Sequence, residues 1–215
     1  MRLVFLLLPL IIGLIIGFLS HDKVIQITAP KATPTQFDSS NDLRVNLNSV
    51  YRENIILLTS SLRRIYNKEP YSPDALEALS ENTDDIGDII KTYYGPGAKS
   101  DFLDLWKNQN SAYISYTEAV RDRDLNKKSQ AEHDLKTHID ASLLFWKKLN
   151  PTFNTNDYQV MLADRISFIK NFVNDLSNGN ITQSFKEQHN AYQQNGKIAD
   201  FLTLSVVKQF PEKFK

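Results

Sequence analysis

Arg165 stands where a helix core calls for a Leu or Ile. Its neighbours Tyr158, Met161/Leu162, Phe168/Ile169 and Phe172 recur at the spacing of one buried helical face. Two other segments carry the same interruption. Asn54 breaks the stripe Leu43, Leu47, Val50, Leu57/Leu58, Ile65, and Gln109 breaks the stripe Phe102, Leu105, Trp106, Ala112, Tyr113, Tyr116. Asn54, Gln109 and Arg165 are 55 and 56 residues apart. A second set does likewise: Asn82 lies between Leu79 and Ile86, His138 between Leu135 and Phe145, and Asn195 between Tyr192 and Ala199. These three are spaced by 56 and 57 residues.

Buried polar groups are costly unless paired, so the six positions predict a connected polar layer. Arg165 needs a partner most, and the pairing rule for buried charge points to a carboxylate. Asp85, Asp140, Asp164 and Asp200 are the candidates, with Asp85 and Asp140 within a turn of Asn82 and His138. Such a layer has two uses: it fixes helix register, or it lines a pocket for a small polar or anionic ligand with Arg165 as the charge clamp.

Other chemistry finds less support. The chain has no Cys, which removes disulfides, thiol catalysis and thiolate metal sites. A di-iron bundle needs Glu-x-x-His pairs, and none occurs; His133 and His138 are five apart and share no face well. No Gly-x-Ser-x-Gly elbow is present. No metal, cofactor or catalytic residue is therefore expected. Net charge is zero and no basic run occurs, so nucleic acid is not an expected partner.

The elements that position these residues are helices. From Asp42 onward six are predicted, over about 42–66, 73–93, 98–121, 125–148, 156–176 and 181–208. Pro70 and Ser72-Pro73, Tyr93-Tyr94-Gly95-Pro96-Gly97, the polar corner at 121–126, Pro151 with a capping Thr155 or Asn156, and Ser177 to Thr182 separate them. Helix-ending prolines at 96, 151 and 211 recur about every 55 residues. The pattern predicts an all-α antiparallel bundle of about six helices in three hairpin-like repeats. One six-helix bundle and a four-helix bundle with an added hairpin both fit.

Ahead of the bundle, Leu3 to Leu19 form seventeen residues without a charge, after Arg2. At helical rise they cover roughly 25 Å, just enough for a thinned bilayer core. Residues 1–20 thus read as a signal anchor or a signal peptide; Phe18 and Leu19 crowd the cleavage site and favour the anchor. Arg2 favours an N-terminus inside and a domain at 42–215 outside the cytoplasm, secreted if the signal is cut. Residues 21–41, with Pro30 and Pro34, read as a flexible tether.

The runs "ENTDDIGDIIKTYYGPGAKSDFLDLW", "FWKKLNP" and "IADFLTLSVVKQFPEKF" resemble a Bacillus-type family of uncharacterised helical proteins, over residues 43–214. Such relatives often carry the label acetylglutamate kinase. A kinase of that type resembles an α/β fold with Gly-rich phosphate loops, and this chain has seven Gly and no P-loop, so that activity is not expected. The resemblance implies His at the positions of Asn54, Gln109 and Arg165, and Pro at Thr92; this sequence departs from it at all four. The leading expectation is a membrane-tethered binding or scaffold module of the cell envelope, with an envelope protein as its partner. The runner-up is a binding protein for a small polar or anionic ligand around Arg165.

Overall fold

Helix starts and stops in this chain are set by local capping groups. The computed structural model describes residues 39–70 and 73–214. The anchor at 1–20, the tether up to residue 38 and the expected cap Ser72 lie outside the described residues. The first helix, α1, spans Ser40–Asn67, and it begins where the Ser39 hydroxyl accepts a hydrogen bond from the Asp42 N–H. The helix therefore takes in the last two residues expected of the tether. It ends at Lys68, whose left-handed backbone (φ 53°) lets its N–H reach the Arg64 and Ile65 carbonyls.

Five helices follow: α2 at Pro73–Tyr94, α3 at Pro96–Asp122, α4 at Leu125–Leu149, α5 at Thr155–Ser177 and α6 at Ile181–Gln209. A 3-10 turn at Pro211–Phe214 closes the described chain. The α2–α3 corner is a single residue, Gly95, at φ 85°, with Pro96 supplying the preset first turn of α3. Asp124 caps α4 by accepting from the Lys127 N–H at 2.9 Å. The cap of α5 is Asn154, which accepts from Asp157 N–H at 3.2 Å, and not Thr155 or Asn156. No helix among the described residues is long and apolar enough to cross a membrane.

The six helices form one bundle. Consecutive helices pack as the pairs α1/α2, α3/α4 and α5/α6. The odd-numbered helices α1, α3 and α5 also touch one another and make the inside of the bundle. Each even-numbered helix packs outside, α2 between α1 and α3, α4 against α3 and less closely α5, and α6 between α5 and α1. The α1–α6 contact closes the ring.

The apolar core is divided into two. One part holds Leu47, Tyr51, Phe102, Trp106, Leu162 and Ile198; the other holds Ile55, Leu58, Tyr113, Ile166, Ile169 and Ala191. On every helix the division falls at the polar residue that interrupts the stripe.

Candidate functional site

All six inward polar residues are buried: Asn54, Gln109 and Asn195 fully, and Arg165, Asn82 and His138 to within 4%. Three come from the inner helices, and these three meet. Arg165 on α5 donates from Nη1 to Gln109 Oε1 on α3 at 2.8 Å, and from Nη2 to Asn54 Oδ1 on α1 at 3.1 Å. Asn54 then donates from Nδ2 to Asn82 Oδ1 at 3.1 Å. Asn82 donates in turn to the Val50 carbonyl at 3.0 Å and to Glu53 Oε2 at 3.2 Å. A guanidinium has no acceptor, so it dictates which amide end faces it. The orientation of Asn54, and through it of Asn82, follows from Arg165.

His138 and Asn195 sit beside this chain and are not bonded into it. Asn195 donates to the Tyr51 carbonyl. His138 shares a hydrogen bond between Nε2 and Ser142 Oγ at 3.2 Å, and its ring meets Trp106 edge-on with centroids 6.2 Å apart. Burial pushes the His138 pKa down to about 3, Arg165 pushes the same way, and the Leu105 backbone opposes both. The imidazole is neutral at physiological pH.

The expected carboxylate partner is absent: Arg165 makes no ion pair among the described residues. Asp85, Asp140 and Asp164 are exposed. Asp140 lies two residues past His138, which turns it away from the inward face, and Asp85, three past Asn82, falls at the exposed edge of its helix. The two therefore do not belong to the interior layer. Partial burial raises the Asp85 pKa first, and its acidic neighbours Asp84, Glu53, Asp88 and Glu81 raise it further. Asp200 is spent on Arg44 (2.7 Å) and Asn48 (2.8 Å).

Aromatic rings stand where a carboxylate was expected. The Arg165 guanidinium carbon lies 5.4 Å from the Trp106 ring centre and 5.8 Å from that of Tyr113, within cation–π range. Tyr51 meets Trp106 edge-on at 5.8 Å. Burial lifts the Tyr51 pKa well above 10 and those of Tyr113 and Tyr158 to about 12, with Arg165 pulling each back. All three stay neutral and none offsets the guanidinium charge. By periodicity Trp106 and Tyr113 read only as members of an apolar stripe, and Tyr51 does not stand out at all. Tyr51 and Trp106 each precede the inward amide of their helix by three residues, and that shared offset is the signal that finds them.

Several buried polar atoms have no protein partner. Arg165 Nε, Gln109 Nε2, Trp106 Nε1, His138 Nδ1, Asn195 Oδ1 and the hydroxyls of Tyr51 and Tyr113 lie in or next to the layer. On the outer side of His138, a groove of about 390 Å³ runs between α3 and α4, edged by Asn108, Ser111, Ser115, Asp134 and Thr137.

Compared with protein-family models, with curated proteins and with solved structures, the chain matches none, so its functional reading rests on the geometry of this layer.

Proposed function

We propose that this chain is a membrane-tethered binding module of the cell envelope, whose bundle takes a small polar or anionic ligand at the layer around Arg165. The observation that carries the reading is Arg165 itself. It is 1% exposed, its two bonded partners are neutral amides, and its own Nε has no partner. Leaving a cation unneutralised in a dry interior is among the costliest choices a core can make, and a ligand that supplies negative charge removes the cost. The tether is read from the uncharged run Leu3 to Leu19, and Arg2 ahead of it supports an N-terminus inside with the bundle outside the cytoplasm. The three hairpins are read as an internal repeat, supported by the meeting of Asn54, Gln109 and Arg165 at one level of the inner helices.

The test is a thermal-shift screen of the full-length chain in nanodiscs, across small anions and neutral polar molecules, with Arg165→Met alongside. The reading expects at least one compound to raise the melting temperature saturably in the wild type and to do nothing to Arg165→Met. The second reading is a scaffold in which the layer only holds helix register. The cross-helix bonds Asn54–Asn82 and Asn195–Tyr51 favour it. It expects no compound to act, and Arg165→Met to fold as well as the wild type or better.

A further inference from the structure

The groove between α3 and α4 is open space that the side chains at the seam are too short to fill. On α3, Asn108, Ser111 and Ser115 line it at spacings of three and four; on α4, Asp134, Thr137 and Ala141 do the same, so each set forms one helix face. Ser111, Ala112, Ser115 and Ala141 are all short, and a Leu at any of them would take up the room between the helices.

The hydrogen-bonding capacity of this lining is almost unspent. Among the described residues its side chains take part in two internal hydrogen bonds. Gln130 Nε2 donates to Asp134 Oδ1 at 2.8 Å, and His138 Nε2 shares one with Ser142 Oγ at 3.2 Å. The side chains of Asn108, Ser111, Ser115 and Thr137 make none. Elsewhere in the bundle, hydroxyls turn back on the carbonyl four residues earlier, as in Thr59, Thr83, Thr117 and Thr203. His138, 4% exposed, also lines the groove, and its Nδ1 is buried without a partner.

The lining selects a ligand by charge and by hydrogen-bond type. It holds one acid, Asp134, and neither Lys nor Arg, and burial keeps the His138 ring neutral. A phosphate or carboxylate ligand would meet the Asp134 carboxylate with no cation in the lining to offset it. An organic cation would find one exposed carboxylate and no Phe, Tyr or Trp face, and an exposed ion pair contributes little. Three hydroxyls and an amide both donate and accept, beside a carboxylate that accepts. A ligand dense in hydroxyls matches that set, because each of its own groups also does both. Leu105, Ala112 and Ala141 add an apolar strip for its C–H edges, and about 390 Å³ suits one sugar-sized ring.

We propose that the α3–α4 groove binds one polyhydroxylated ring, a sugar or cyclitol unit, with Asp134 accepting from its hydroxyls and Asn108, Ser111, Ser115 and Thr137 exchanging hydrogen bonds with the rest. The ring is either free or one unit of a longer chain. The inference goes beyond the ligand reading of the Arg165 layer and uses none of that layer's cross-helix bonds.

The experiment is saturation-transfer-difference NMR on the full chain in nanodiscs. The probes are glucose, N-acetylglucosamine and myo-inositol as free rings, maltotriose and chitotriose as chain-borne ones, and putrescine and glucose 6-phosphate as charged controls. At least one neutral ring is expected to give a saturable signal. Equal signals from ring and trisaccharide identify a free ligand, and a signal from a trisaccharide alone identifies a chain-borne unit; either supports the site. Ser111→Leu fills the groove from an exposed position and should abolish the signal with circular dichroism unchanged. Asp134→Asn, also exposed, should weaken binding about tenfold. Arg165→Met should bind as the wild type does.

No signal from any neutral ring or trisaccharide overturns the proposal, as does a signal equal in wild type, Ser111→Leu and Asp134→Asn. A response to putrescine alone overturns the polyhydroxyl assignment. A signal lost in Arg165→Met but kept in both groove variants moves the ligand to the inner layer, so the groove site falls while the reading of that layer stands.

Discussion

At the scale of single residues, Arg165 organises its neighbours by what it lacks. With no acceptor of its own, it turns the Asn54 and Gln109 oxygens inward, and Asn54 then passes a donor to Asn82. Replacing Asn54 by Leu removes an acceptor from Arg165 and a donor from Asn82 together. We expect Asn54→Leu to destabilise the bundle by roughly 2–5 kcal/mol in urea unfolding. Adding Arg165→Met should restore most of that loss, because the stranded charge goes with it. Additive effects would show that the two side chains do not depend on each other. His138 gives a pH signature. Its folded pKa lies at about 3, below the ordinary 6.5, so the unfolded chain takes up the proton first as pH falls. Its contribution is therefore fully present above pH 6.5 and is lost on acidification towards about 3, at up to about 1.4 kcal/mol per pH unit. His138→Gln, compared with wild type from pH 7 to 4, should flatten that part of the profile; an unchanged slope would mean the ring is not held neutral. The inward positions were legible because a polar residue in an apolar stripe stands out at helical period. The missing counter-charge was not legible. The rule that buried cations pair with carboxylates is about averages, and this chain meets Arg165 with amides and ring faces instead.

At the scale of elements, Pro, Gly and polar corners marked the helix boundaries in advance, to within two residues. Gly95 with Pro96 makes a one-residue corner, and Gly179 at φ 73° serves the turn before α6. What could not be read was which residue caps α5. Asn154, Thr155 and Asn156 all have capping side chains, and only backbone geometry decides: Asn154 is the extended one (φ −79°, ψ 91°), while Thr155 is already the first residue of the helix. Asn154→Ala should therefore cost about 1 kcal/mol, and Thr155→Ala should stay within about 0.5 kcal/mol of wild type. Equal costs in chemical denaturation would show the cap to be shared. Asp85 and Asp140 failed as interior residues for a related reason. Two residues along a helix, as from His138 to Asp140, turn the side chain to another face, while three, as from Asn82 to Asp85, shift it by about 60°, here enough to reach the exposed edge.

At the scale of the whole molecule, helix-ending prolines spaced about 55 residues apart are compatible with two architectures. In an open array each hairpin touches only its neighbours, and removing one costs a single interface. In a closed ring the first and last helices meet, and removing a hairpin costs two. Here α1 packs along α6, and α1, α3 and α5 share the interior. The sequence showed the spacing of the hairpins, but not the closure, because closure depends on α1 finding a helix more than a hundred residues away. Residues 39–149, which keep α1 to α4, would expose the α1 face that α6 covers and the inner faces that α5 covers. They would also leave the Asn54 and Gln109 oxygens without the guanidinium that orders them. We expect this fragment to retain helical circular dichroism but to unfold without a cooperative transition, and to lack the near-ultraviolet signal of fixed aromatic rings. Adding residues 150–215 in trans should restore both, since the absent hairpin supplies two interfaces and the central charge at once. Cooperative unfolding of 39–149 alone would instead mean that the hairpins are autonomous and that Arg165 is incidental to the fold.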